Sequence, residues 1–358
     1  MKIFYMGRYN PTENLSGPEK AAKRLFTELL KVHEVVFIEY FFDGRKYSLF
    51  KKLFGKHIIE KVNSSTIIRL GLISLFFFLL KEKPTTIHII NFERFVVIAY
   101  IYKLLRKVYI LYGFQGIAYY ENLHFKKVTK WYLLKDKLCE KIIFRYSDKL
   151  IFLSKASASL AAKYFNFDIS NISIIPNGVD EIFNRTSAVK RFTRDGCIKI
   201  VFIGSIERKE KGFEFLKTAL KKITFSFELY ALCNEKEFTE SNFLNVPKLE
   251  TDKLAEFLLD KDVYISSSNY EPFSIAAAEC MAAGLVSIMT EETGAARYVT
   301  DGVNGFVIKF NDEERLIRLL NRLNNDRELL PQISSESKKI YGEVSWKKVL
   351  EKYKIFYV

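Results

Sequence analysis

Strand-like runs and helical stretches take turns along most of this chain, and that alternation restricts its fold more than any other feature. Runs rich in β-branched and aromatic residues stand at 2–6, 34–41, 86–91, 107–114, 148–154 and 171–175, and again at 198–203, 262–268, 286–290 and, after a turn at 301–305, 306–308. Most are separated by helical stretches. Strands joined through a helix cannot form a tight hairpin; the crossover brings the chain back parallel to its first strand, so an α/β fold with parallel sheets is expected. At 358 residues the chain is too long for one ordinary core and suits two domains.

Residues 271–284 read EPFSIAAAECMAAG. Ser274 is placed to cap a helix built almost wholly of Ala, Ile, Cys and Met, and Gly284 to end it. Glu279 is the single carboxylate in that helix. A charge on an apolar helix must find hydrogen-bond donors or stay protonated, and the small Ala side chains let the backbone lie close to a partner. The helix turns free N–H groups and its positive dipole end toward the Glu271 loop, an arrangement that suits phosphate. With strands expected at 262–268 and 286–290, Glu271 falls at the carboxyl end of a strand, where open α/β sheets bind ligands. The plainer alternative is a capped core helix with one Glu facing solvent.

A second polar loop follows the run 198–203. Gly204 and Ser205 open it, Arg208 and Lys211 give it positive charge, and Gly212 leads into a helix from Phe213. Such charge runs are usually solvated. Near the start of the chain, Ser16 and Glu19 form a capping box with Pro18 in the first turn, opening a helix over 20–31.

The Glu271–Glu279 pair, with the strands around it, resembles the Glu-x7-Glu signature of the family 4 glycosyltransferases. These are retaining enzymes of the GT-B fold, two Rossmann-like domains with parallel sheets facing a central cleft. The resemblance implies transfer of a sugar from a nucleotide diphosphate sugar to a hydroxyl of a glycan or lipid-linked acceptor, in cell-envelope polysaccharide or glycolipid synthesis. It assigns the donor sugar to Glu271 and the nucleotide ribose to Glu279. Phe273, Ser274, Ile275, Gly204, Ser205 and Gly17 would line the donor. Lys211 matches the family's Lys-Gly pair and would neutralise the diphosphate, with Arg208 substituting for the Arg expected where Ser205 stands. Residues 176–180 match the link between the two domains, and 181–196, poor in apolar residues, reads as interdomain connection. The domains expected are 1–180, which takes the acceptor and receives a C-terminal helix at 343–358, and 181–342, which binds the nucleotide sugar.

Several residues depart from the family pattern. Gln115 stands where many members place a His facing the reacting sugar. An amide can hydrogen-bond a hydroxyl but cannot take its proton; in a front-face retaining mechanism the leaving diphosphate can take it instead. Arg297 replaces the usual Glu of the loop after 286–290. With Ser205, these departures keep open a second reading, a catalytically degenerate GT-B protein acting as a nucleotide-sugar-binding or scaffold subunit. His88, in the run 86–91, reads as a core histidine. Asp260-Lys261-Asp262 spells a metal and diphosphate signature, but precedes a strand instead of following one, and reads as a connection. Neither metal nor other cofactor is expected beyond the donor.

Charge is unevenly spread. Residues 1–150 hold 27 Lys and Arg against 13 Asp and Glu, whereas 151–358 hold 29 of each, so the whole net charge of +14 lies in the first part. A basic domain implies an acidic partner. An anionic membrane surface is expected, not nucleic acid, for which no recognition motif is present. Segments 46–61 and 125–137 set aromatic residues and Leu among lysines, as membrane-surface helices do; core-facing helices with snorkelling lysines are the alternative. The apolar run 70–80 is too short to span a bilayer and reads as a buried helix. A first strand at 2–6 argues against a signal peptide, and Cys139, Cys197, Cys233 and Cys280 have no metal spacing and read as reduced thiols. The expected location is cytoplasmic, peripheral on the inner face of the cell membrane.

Overall fold

The computed structural model describes residues 2–9, 17–41, 47–62, 65–192, 196–233 and 238–357. The chain forms two units, Met1–Pro176 joined by Val349–Val358, and Asn177–Lys348. Each is a Rossmann-like α/β unit built on a single sheet.

The first unit holds strands β1 (Lys2–Met6), β2 (Glu34–Tyr40), β3 (Lys56–Val62), β4 (Ser65–Leu70), β5 (Thr86–Ile89), β6 (Tyr109–Gly113), β7 (Lys149–Phe152) and β8 (Ile172–Ile174). They lie in the order β3-β4-β2-β1-β5-β6-β7-β8. All pairs are parallel except β3 with β4. Burial on both faces explains continuous apolar runs such as Ile3–Met6 in place of a polar alternation. Helices Leu72–Glu82, Val97–Leu105 and Lys130–Tyr146 carry the crossovers β4 to β5, β5 to β6 and β6 to β7. Successive right-handed crossovers in one direction put all three on one face of the sheet, where neighbours touch and where the short helix Leu49–Phe54 extends the row. The chain's many aromatics fill this core: the Phe114 ring stacks on Phe144 and on Phe152, each with centroids 4.7 Å apart. On the opposite face lie the helix Gly17–Leu29 and the C-terminal segment. There the Tyr5 hydroxyl donates to the Ala22 carbonyl (3.2 Å), and the Tyr357 hydroxyl meets His88 Nδ1 at 2.7 Å.

The second unit holds β9 (Ile198–Ile203), β10 (Phe227–Leu232), β11 (Phe243–Val246), β12 (Val263–Ser266), β13 (Val286–Thr290) and β14 (Phe306–Ile308). This sheet is parallel throughout, in the order β11-β10-β9-β12-β13-β14.

Several local expectations change. Segment 46–61 is not one helix: Leu49–Phe54 stops at Gly55 and β3 follows, because its Ile58 side pairs with β4 across from Ile68. In the run 70–80, Leu70 ends β4, and the helix Leu72–Glu82 buries Leu75 and Leu79 while Phe77 faces solvent. Segment 125–137 is broken at 126–129 between helices Ala118–Phe125 and Lys130–Tyr146. The first helix is Gly17–Leu29, and the capping role given to Ser16 lies outside the described residues. The stretch read as interdomain connection is folded onto the second unit. Helix Glu181–Thr186 touches the Ile275–Ala282 helix, and Lys190 Nζ donates to the carbonyls of Leu258 (2.9 Å) and Leu259 (3.3 Å). The strands β3, β4, β10 and β11 are additions that the sequence pattern did not reveal.

Candidate active site

Three loops at the carboxyl edge of the second sheet, after β9, β12 and β13, are tied together by backbone. The Glu271 N–H donates to the Glu292 carbonyl (3.2 Å), the Gly294 N–H to the Glu271 carbonyl (2.8 Å) and the Ala295 N–H to the Phe273 carbonyl (2.6 Å). Gly294 is required by this approach: a Cβ there would lie 2.1 Å from the Pro272 carbonyl oxygen. Hydroxyls fasten the same loops from below. Ser266 Oγ and Thr293 Oγ1 are 2.9 Å apart, Thr293 and Thr290 are 3.1 Å apart, and Thr290 donates to the Ser268 carbonyl.

Glu271 is followed by the helix Ile275–Ala282, capped by Ser274, whose Oγ accepts the Ala277 N–H at 3.2 Å. Ser274 has φ 73°, a region that L side chains rarely occupy at a cost of roughly 1–3 kcal/mol. The surrounding backbone bonds hold it there. Glu279 lies in the middle of this helix, 3% exposed, so it does not face solvent as a surface Glu would. Cys280 beside it is fully buried, and desolvation drives its thiol pKa well up.

The loop after β9 docks against the loop after β12. The Asn269 N–H donates to the Glu210 carbonyl and Ser267 Oγ to the Lys211 carbonyl, both at 2.9 Å. Gly212, at φ 64°, passes so close that a Cβ would lie 1.9 Å from the Ser267 carbonyl oxygen. This docking carries Lys211 Nζ onto the carboxylate of Glu271. Both side chains are mostly covered. The cation, the carboxylate and the start of the Ile275–Ala282 helix set a hydrogen-bond acceptor beside positive charge, an arrangement that can take hydroxyls at Glu271 and negative charge at Lys211 and the helix N–H groups.

The structure brings together Glu271, Phe273, Ser274, Ile275, Glu279, Gly204, Ser205, Arg208 and Lys211 in one unit. Arg208 is exposed and turned onto Glu210, its Nε 2.6 Å from the carboxylate, so Lys211 is the cation that meets the motif carboxylate. Gln115 and Gly17 belong to the other unit. Gln115 is half-buried in the loop after β6, and Gly17 starts its helix exposed. Arg297 is exposed on a 3-10 turn, 5.2 Å from the centre of the Tyr298 ring. Asp262 of the Asp-Lys-Asp run is buried and accepts the Lys199 N–H at 2.9 Å, a connection between strands. His88 is a core residue whose pKa is pushed down to about 3 by burial. Sequence reasoning missed Asn269, Ser267 and Glu210, whose contacts across the two loops aim Lys211; only the Ser and Asn after a strand hinted at them.

The model for glycosyl transferases group 1 matches residues 185–340, and the model for glycosyltransferase family 4 matches residues 15–182. An uncharacterized glycosyltransferase of Methanocaldococcus jannaschii is 27% identical over 61% of this chain, which spans 60% of that relative's length. Among solved structures, sucrose-phosphate synthase from Thermosynechococcus elongatus superposes with a TM-score of 0.77 at 14% identity, covering 99% of this chain and 98% of that one. The Anabaena protein HepE in complex with UDP-glucose superposes with a TM-score of 0.72 at 15% identity, covering 98% of both chains.

Proposed function

Because the chain belongs to glycosyltransferase family 4 and has the GT-B fold, we propose that it moves a sugar from a nucleotide diphosphate sugar to a hydroxyl of a glycan or lipid-linked acceptor, with retention of configuration, in building cell-envelope polysaccharide or glycolipid. One observation carries the reading: Lys211 lies on Glu271 at the start of a helix whose buried middle carries Glu279. Glu271 holds the donor sugar and Glu279 the ribose. Lys211 and the helix N–H groups stabilise the departing diphosphate, with Arg208 adding positive charge from the rim. Each such donor is typically worth about 3 kcal/mol in the transition state. The bond from the anomeric carbon to the diphosphate oxygen breaks as the bond to the acceptor oxygen forms. The acceptor proton passes to the departing diphosphate, since Gln115 cannot take it. No metal is assigned a part. The acceptor sits on the basic first unit, at an anionic membrane surface.

Thermal shifts of the wild type and Glu279→Ala against UDP-, GDP-, ADP- and dTDP-sugars test this. A donor at about 100 times its dissociation constant adds about 2.7 kcal/mol. A shift for one nucleotide class that vanishes in the variant is the expected result; no shift with any donor would favour the degenerate scaffold.

A further inference from the structure

We propose that the outward face of the helical layer on the first sheet is a docking plane for an anionic lipid bilayer, and that the acceptor is therefore carried by the membrane; the second half rests on the transferase reading, the first does not. The helices Leu49–Phe54, Leu72–Glu82, Val97–Leu105 and Lys130–Tyr146 lie side by side on that face.

The helix Lys130–Tyr146 shows the pattern most fully. Its inner side buries Asp136, Glu140, Ile143 and Phe144. Trp131, Leu134 and Leu138, spaced three and four residues apart, form one stripe on the other side, all exposed, Trp131 by 64%. Lys130, Lys135, Lys141 and Arg145 flank the stripe, and the Lys135 ammonium is 5.1 Å from the Trp131 ring centre. The helix's carboxylates are withdrawn. Asp136 is held by Arg94 (2.9 Å) and Asn122 (2.8 Å), and Glu140 accepts the N–H groups of Ala118 (2.8 Å) and Tyr119 (3.0 Å).

Its neighbours repeat the pattern. Helix Val97–Leu105 exposes Leu104 and Leu105 ahead of Arg106 and Lys107. Helix Leu49–Phe54 buries no residue at all, yet holds Phe50 and Phe54 with ring centres 5.3 Å apart, next to Lys51 and Lys52. In the second unit, Val189 and Val303 are the exposed large apolar side chains among the described residues.

Apolar ridges set among cations, with the acids turned inward, match lipid headgroups over acyl chains. Nucleic acid would leave the ridges uncovered, and a second copy would bring like charge against like. Helix Leu49–Phe54 also lies at the carboxyl edge of the sheet, because the Gly71 N–H donates to the Gly55 carbonyl (2.8 Å) and Lys56 stands opposite Leu70, the last residue of β4. Gln115 follows β6 at that same edge. A bilayer against this layer therefore borders the edge where the acceptor is expected, and a hydroxyl on a membrane lipid or lipid-linked glycan is the substrate that fits.

The protein carries its own reporter, since it has 2 Trp and Trp346 is only 7% exposed. The full chain is mixed at low salt with vesicles of phosphatidylcholine, with and without phosphatidylserine. Sedimentation with the anionic vesicles alone, weakening with salt, and a blue shift of tryptophan emission are expected. Trp131→Phe should keep binding and lose the blue shift. Lys135→Gln and Lys141→Gln should each lower partitioning about five-fold, with unchanged melting temperatures showing that they still fold. Failure to bind anionic vesicles, binding without a blue shift, or a lipid-free dimer broken by Trp131→Glu would overturn the proposal. Vesicle binding without any donor-induced thermal shift would instead remove the transferase reading and leave the docking plane standing.

Discussion

Ser274 combines two opposed effects in one residue. Its hydroxyl caps the Ile275–Ala282 helix, while its φ of 73° strains the backbone. Ser274→Ala keeps the strain and loses the cap, so a loss of about 1 kcal/mol is expected in urea unfolding, whereas Ser274→Gly relieves the strain and should lie within a few tenths of wild type. A glycine variant less stable than the alanine variant would contradict this account. Gly212→Ala is a harsher test, because its Cβ would fall 1.9 Å from the Ser267 carbonyl oxygen at a φ of 64°. A loss above about 2 kcal/mol is expected, together with weaker donor binding as Lys211 moves away from Glu271.

At the scale of elements, His88 ties β5 to the C-terminal segment through Tyr357. Burial lowers its pKa from 6.5 to about 3. The unfolded chain therefore binds a proton that the folded one refuses between those values, and stability is lost as pH falls from about 6.5 toward 3. His88→Phe should flatten that part of the stability profile by up to about 1.4 kcal/mol per pH unit; equal slopes in the two proteins would refute the assignment. The alternation of runs made both sheets legible, and the Ala-rich composition around Glu279 made the site helix legible, because an apolar helix with one acid has few places to go. The β3–β4 hairpin was not, since Lys56–Val62 mixes lysine and isoleucine at spacings that suit either a helix or a strand. β10 was hidden by Glu228, which a strand interior normally avoids and which here meets the Tyr230 hydroxyl at 2.7 Å. The pairing of Arg208 with Glu210 depends on how the loop after β9 turns, which no local pattern states.

At the scale of the whole molecule, chemistry and charge are divided between the units. The motif carboxylates and Lys211 are in the second, and the excess positive charge is in the first 150 residues. The resemblance located the chemistry and the charge count located the excess cations, but neither told which surface carries the charge outward; that required knowing which carboxylates turn inward, as Asp136 and Glu140 do. In the proposed division of labour, Glu279 holds the nucleotide while Glu271, paired with Lys211, serves the sugar. The most direct test is calorimetric titration of the wild type, Glu279→Ala and Glu271→Gln with the nucleoside diphosphate and with its sugar conjugate. Glu279→Ala is expected to lose both ligands, and Glu271→Gln to keep the diphosphate but lose the extra affinity contributed by the sugar. Equal binding of both ligands by all three proteins would contradict it.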